Sequence, residues 1–408
     1  MSTQGEGNGR EGGRARGRSG LTPLSIVVAT VLIDLIGFGI VLPLLPLWAE
    51  EFGASPAQVG ALAATYALAQ VIAAPIWGIV SDRVGRRPVI LVSLVGASVG
   101  ALLTGFAGSL AMLFVARALH GASGASYVAA QAYVADVTSP ERRARGMGMI
   151  GAAFGVGFVL GPAIGAALVL IDLRAPFIFA GALAALGFLV ALRFLPESRS
   201  VADRARSAAQ RVATRLPRDA FGLLALTFLA TAAFVGVEAT FALFLERRLG
   251  YGPAAIALVF VYVGVSAAIS QGLLVGPAAR RFGETRMLFI GLVGTGVGML
   301  AVGLSQELWQ VLLGVLVMAV AWGLVYAGIS TLMSLRAGEH GQGRTLGVLG
   351  SASGVARVVG PLGAGFALGA LGAPAPLLIG AALLGVCVLL APLALGRVFD
   401  APAASPSR

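Results

Sequence analysis

Four charged residues stand inside otherwise apolar stretches: Asp34, Arg117, Glu238 and Arg357. Charges in such surroundings are costly and are kept where they carry protons, meet ions or pair with one another. A carboxylate among apolar neighbours can hold a proton at neutral pH. Asp34 and Glu238 are therefore candidates for proton or substrate handling. The alternative is a fixed ion pair with Arg117 or Arg357. For Asp34 the proton or substrate reading is preferred, and for Glu238 both stand. Arg117 opens the run Arg117-Ala-Leu-His120-Gly121, so His120 shares its helical face. A histidine there can titrate in the working range, but the reading taken for it is packing. Arg117 could instead snorkel to the membrane edge. Arg357 has no acid near it in sequence and needs a partner from another helix.

A second charged cluster is Gly78-Ile-Val-Ser-Asp82-Arg83-Val-Gly85-Arg86-Arg87, a short link between the apolar runs 56–80 and 88–108. Each run is long enough to cross a bilayer, which takes about 20 apolar residues. Two crossings joined so tightly form an antiparallel hairpin. Asp82 and Arg86 are four apart and pair if the helix continues into the loop. The bland reading is a topological signal with surface ion pairs of little energetic weight. A topological signal needs no aspartate, however.

These residues are positioned by a chain of 408 residues, 58% hydrophobic and 12% charged, with mean hydropathy +0.91. A soluble protein needs more charged surface than that. Crossings are expected near 24–47, 56–80, 88–108, 110–134, 146–170, 175–195, 219–245, 254–278, 286–305, 308–335, 344–371 and 374–397. The expected fold is thus all-α and polytopic, with 12 transmembrane helices in two six-helix halves. All 29 basic residues are arginine, and they fall in alternate short loops. The positive-inside rule puts those loops, and both termini, in the cytoplasm. The distribution excludes a nucleic-acid surface, for which a +11 balance might otherwise argue.

The expected domains are a basic tail (1–22), a first half (23–195), a cytoplasmic linker (196–218), a second half (219–397) and a short tail (398–408). The halves repeat each other. Gly151, Gly155 and Gly161-Pro162 return, 199 positions on, as Gly350, Gly354 and Gly360-Pro361. The charged loop returns as Gly276-Pro-Ala-Ala-Arg280-Arg281-Phe-Gly283, with Arg280 where the aspartate would be. Gly151, Gly155, Gly161, Pro162 and Gly165 line span five at the small-residue spacing that lets helices meet backbone to backbone. Cys387 is the single cysteine and there are two histidines, so no disulfide, metal site or cofactor is expected. GxSxG and HExxH signatures are missing, which argues against a hydrolytic enzyme.

The Asp82 loop resembles the signature loop of the major facilitator superfamily. The span-five motif resembles that of its drug–proton antiporters, and the run Ile26–Gly165 resembles tetracycline exporters. The resemblance implies two parallel halves around a central site, driven by the proton gradient. It also implies a cytoplasmic latch of Gly78, Asp82, Arg83, Gly85, Arg86, Arg87 and Asp136, with Asp82 near the start of helix eleven. Arg117 would serve proton transfer. Spans one, four, seven and ten would line the cavity, with Phe38, His120, Gln131, Phe234, Phe241, Trp322 and Tyr326 as candidates. Tyr127 and Gln271 are comparable, although aromatic pairs at helical spacing also arise from packing. Tetracycline exporters carry acids in spans three and nine. The corresponding Ser98-Val-Gly100-Ala and Leu292-Val-Gly294-Thr are uncharged. The expectation is a monomeric inner-membrane exporter of drugs or small amphipathic compounds. The alternative is an importer or uniporter of a small metabolite.

Overall fold

A computed structural model of the chain describes residues 22–124, 126–198 and 220–395. The expected tails and nearly all of the expected linker lie outside the described residues, as do the side chains of Tyr127, Arg336 and Arg344. Among the described residues there are helices and no strand. They are α1 (Pro23–Glu50), α2 (Pro56–Val84), α3 (Arg86–Gly105), α4 (Leu110–Ala122), α5 (Ser126–Val137) and α6 (Pro140–Leu168). There follow α7 (Ala175–Phe194), α8 (Ala220–Leu249), α9 (Pro253–Ile269), α10 (Val275–Leu304), α11 (Leu308–Leu371) and α12 (Ala375–Leu395). A π-helical turn, Ser270–Leu274, joins α9 to α10.

Local chemistry sets the starts. Proline stands at the first position of α1, α2, α6 and α9, where its missing N–H costs nothing. Thr22, Ser55 and Ser109 accept hydrogen bonds from the next turn, and Gln58 completes a capping box at α2. Within the helices, Thr30, Thr104, Thr227 and Thr295 each donate to the carbonyl four residues back. Their hydroxyls thus need no water.

Among the described residues, ten stretches are long and apolar enough to cross a membrane. One of them, the 52 residues Pro253–Leu304, holds two crossings, and α4 with α5 supplies another. Span four is therefore not one continuous helix, as expected, but two joined at Ser123–Gly124. Spans eight and nine meet at Gly283, whose φ of 73° breaks the helical path. Spans ten and eleven share the 64 residues of α11. At 1.5 Å per residue a straight helix of that length would run about 96 Å, three bilayer cores. Its two ends lie at one face of the bundle. Arg248 donates to Ser305 just before α11 begins, and its neighbour Arg247 pairs with Glu50. Gly369, near the other end, packs on Pro56. The helix must therefore turn back on itself, and it carries two crossings, Leu308–Leu335 and Gly347–Leu371.

The halves repeat in space as well as in sequence. In the first, Gly161 of α6 seats on Gly39 and the Ile36 carbonyl of α1. In the second, Gly360 of α11 seats on the Ala232 carbonyl of α8, with Gly236 against it. Both crossings are backbone to backbone, the close approach that glycine permits. Gly157 and Gly165 lie on the same face of α6 and also pack on α1, whereas Gly155 meets Ala268 of the other half and Gly151 has nothing within 4 Å. The span-five glycines thus serve two interfaces, and not the single line that their spacing suggested.

Candidate functional site

The two largest interfaces between the halves are α2 with the second crossing of α11 and α6 with α9. Both are tight at one end and open at the other. Gly60 and Gly365 press on each other and on Pro56 and Pro361. Further along, Gly354 meets only the side chain of Val71. Beyond it, Gly350, Gly347 and, on α2, Gly78 have nothing within 4 Å. On the other interface a methyl group at Gly264 would lie 2.5 Å from the Phe158 carbonyl. One at Gly155 would just touch Ala268 at 3.9 Å, and Gly151 and Gly148 have nothing within 4 Å. The halves therefore enclose a cleft that is shut at the Glu50 end and opens toward the arginine-rich end. At the shut end Arg247 of α8 donates to the Glu50 carboxylate of α1, an ion pair between the halves.

Tyr66, which the sequence reading passed over, organises the first half of the site. The Arg117 guanidinium lies over its ring, 4.3 Å from the centroid. His120 meets the ring edge at 5.4 Å, and Phe38 is 6.0 Å away. Gln70 reaches the phenol oxygen at 3.5 Å. Asp34 and Arg357 both lie close enough to act on that phenol electrostatically. Gly121 allows this arrangement by seating α4 on the Tyr66 backbone. Arg117 is 6% exposed, and its Nε and Nη1 groups are buried with no hydrogen-bond partner. The ring face replaces a carboxylate as its neighbour, a cation–π contact. The signal that could have found Tyr66 is its i, i+4 pairing with Gln70 in an apolar run.

In the second half Glu238 is half-buried and feels the charge of Arg357. The influence is electrostatic and at a distance, since Arg357 is exposed and no ion pair within 4 Å joins the two. Phe234 stacks on Trp322 with centroids 4.0 Å apart and planes 2° from parallel. Tyr326 is 64% exposed, in keeping with a cleft wall. Phe241 is a correction. It is 3% exposed and packs on Phe244 and Phe260, so it belongs to the core and not to the cavity. Three residues on from Glu238 it keeps roughly that face, but it lies nearer the shut end, where Phe260 of α9 packs over it. His120 likewise packs against Tyr66 and Gly100, as its bland reading held. Phe38 extends through Phe158 to Phe154, an aromatic ladder on the first half. Gln131 is half-buried on α5.

The Asp82 loop forms a third cluster. Arg86, 9% exposed in its side chain, pairs with Asp82 at 3.0 Å and with Asp136 at 3.3 Å. It also donates to Ser81 at 2.8 Å. The residue missed here is Glu197. Its carboxylate accepts from the backbone N–H groups of Arg86 and Arg87, at 2.9 and 3.3 Å. It thereby caps the start of α3, where a negative charge is favoured. Gly85 is required twice over: its φ is 109°, and a Cβ would run into the Glu197 carboxylate. Ser198 donates to Asp136, Tyr133 to the Pro196 carbonyl and Arg87 to the Leu192 carbonyl. These bonds tie the ends of α3, α5 and α7 into one block. Gly283 repeats the positive φ of Gly85 in the second half.

At the positions where acids were sought in spans three and nine, Gly100 packs on His120 and Gly294 on Ala321. Ser98 donates to the Gly181 carbonyl. Those three residues are helix contacts, whereas Val99 and Val293 of the same stretches are exposed.

The Major Facilitator Superfamily model matches residues 27–274 and 223–408. The tetracycline resistance protein, class E, of Escherichia coli is 34% identical over 350 residues, 83% of this chain and 86% of its own length. Multidrug resistance protein 2 of Bacillus subtilis is 26% identical over 82% of this chain and 86% of its own. Among solved structures, the human organic anion transporter MFSD10 superposes with a TM-score of 0.70 at 25% identity. The match covers 90% of this chain and 98% of the other.

Proposed function

The chain belongs to the major facilitator superfamily, and we propose that it exports drugs or small amphipathic organic compounds in exchange for protons. Its family consists of transporters, not enzymes, and its apolar helices embed it in a membrane. The observation that carries the reading is a one-ended cleft with Asp34 in electrostatic reach of Tyr66 and Glu238 in reach of Arg357. Its relatives named for tetracycline and multidrug resistance favour efflux over uptake.

The arginine-rich end is the cytoplasmic face, by the positive-inside rule. Both termini are cytoplasmic and the membrane is the bacterial inner membrane. The cleft then opens inward, ready to take a guest from the cytoplasm or the inner leaflet. Phe38 and Phe158 on one wall, and Phe234, Trp322 and Tyr326 on the other, offer flat apolar faces to that guest. Protonation of Glu238 weakens its attraction to Arg357, and loss of the proton restores it. The two loadings of the site thus favour different helix arrangements, which is what coupling requires. Arg117, held over Tyr66, keeps a fixed positive charge at the closed roof near Asp34. The Asp82–Arg86–Asp136 cluster would close the inner end when the halves rock. A monomer suffices, and the proton gradient, with no cofactor, supplies the energy. Each charge moved is worth about 2.3 kcal/mol per 100 mV.

Vesicles loaded with a pH-sensitive dye test the reading. After energisation, a panel of tetracyclines, lipophilic cations and neutral drugs is added to the intact protein, to Asp34→Asn and to Glu238→Gln. A compound that dissipates the gradient only with both carboxylates intact supports proton-coupled export. Uptake of a metabolite that ignores the gradient, with no drug response, overturns it.

A further inference from the structure

Arg247 and Arg248 are neighbours at the end of α8 and have opposite fates. Arg247 is spent on Glu50. Arg248 is exposed, and its one polar contact among the described residues runs from Nε to the Ser305 carbonyl, at 3.3 Å. No described carboxylate forms an ion pair with it within 4 Å; Glu307, two residues beyond Ser305, turns its side chain to the first turn of α11. Ser305 is also the end of a trough of about 390 Å³ between α10 and the first crossing of α11. Beneath it the two helices meet closely at glycines. A methyl group at Gly298 would lie 2.6 Å from the Met318 nitrogen, and one at Gly314 would lie 2.7 Å from the Val302 side chain. The walls are apolar and face outward, with Leu304, Leu313 and Val297 each more than half exposed. Trp309 stands on the wall beside Ser305, 61% exposed, and Gln310 adds a polar edge.

We infer that this trough holds an acyl chain of one anionic phospholipid whose phosphate sits on Arg248. The match is one of charge and shape. An unpaired guanidinium stands at the mouth of a narrow apolar channel on the outside of the bundle. A phospholipid likewise joins an anionic group to an apolar chain. Guanidinium groups bind phosphate through paired N–H donors, and the bond that Arg248 spends on Ser305 leaves its terminal amino groups free. Trp309 marks the depth at which headgroups begin, as tryptophan does at membrane interfaces. The close glycine contacts hold α10 and α11 together beneath the trough, so the chain would lie along their outer seam. The occupied leaflet is the outer one if the arginine-rich end is cytoplasmic, and only that detail rests on the proposed orientation.

The test is native mass spectrometry of the full chain, released from nanodiscs of equimolar phosphatidylglycerol and phosphatidylcholine. The intact protein should retain phosphatidylglycerol over phosphatidylcholine by on the order of fivefold, the scale of one charge-assisted contact. Arg248→Gln should bring the ratio to about one, and Arg248→Lys should keep most of the preference, which also guards against a folding artefact. Ala301→Phe fills the trough and should strip retained lipid of both kinds. Equal retention by the intact protein overturns the proposal, as does a preference that survives Arg248→Gln or retention unmoved by Ala301→Phe. No transport is measured, so failure of the export reading leaves this result standing, and the reverse holds too.

Discussion

The two ends of the cleft are built from the same materials and differ in what those materials touch. At the Glu50 end, glycines press backbone against backbone across the halves, and Arg247 pairs with Glu50. At the Arg86 end, glycines on the same helical faces meet nothing, and the ion pairs run within one half. Gly60 and Gly78 lie on one helix, and Gly264 and Gly272 on one crossing, yet only the first of each is in contact. A glycine surface that is buried at one end and bare at the other is a pair of alternative interfaces. Closing the bare end requires the same close approach there, and packed interfaces switch between discrete arrangements and do not deform continuously. The difference between the ends is therefore a record of which conformation this is.

Substitutions that treat the two ends unequally would break or sharpen the comparison. Gly60→Ala should have the largest effect. Its methyl group would run into the Pro361 carbonyl, and overpacking of this kind costs about 1–3 kcal/mol. Spin labels at Ile171 and Leu371, both exposed at the shut end, should then report longer distances. Unchanged distances would mean that this contact does not hold the end shut.

Glu197→Gln should follow, at about 1–2 kcal/mol, because it weakens a helix cap shared by two N–H groups. The loss should appear as a lower melting temperature, with labels at the shut end unmoved. A shift at that end would join the two regions that the contacts keep apart.

Gly151→Ala should carry the opposite sign. With nothing within 4 Å of it, alanine gains about 0.5–1 kcal/mol by helix propensity, so the melting temperature should rise. Transport should nevertheless fall severalfold, because the methyl group obstructs closure of the open end. Full activity would show that α6 and α9 need not approach there.

Arg247→Gln should have the smallest effect, about 0.2–1 kcal/mol for an exposed pair. The distance distribution at the shut end should broaden slightly, and less so at high salt, where the pair is already screened. A shift as large as that of Gly60→Ala would transfer the closure from packing to charge.

The sequence by itself determined the class of the protein, its crossings and the motif loop. Hydropathy and arginine placement are one-dimensional, and Asp82 and Arg86 are neighbours on one helical turn wherever that helix sits. The glycine repeat was legible for the same reason. What depended on how each helix is rotated was not legible. A helix apolar on all sides has no polar stripe to fix its facing, and spacing does not say what a face meets at each height, so Phe241 was expected in the cavity with Glu238 where Phe260 of α9 covers it. Contacts between segments distant in the chain were equally hidden. Tyr66 under Arg117, Arg357 near Glu238, Glu197 on the start of α3 and Glu50 on Arg247 all join different helices. Only tertiary structure decided them, because each depends on two helices meeting at a particular height and rotation.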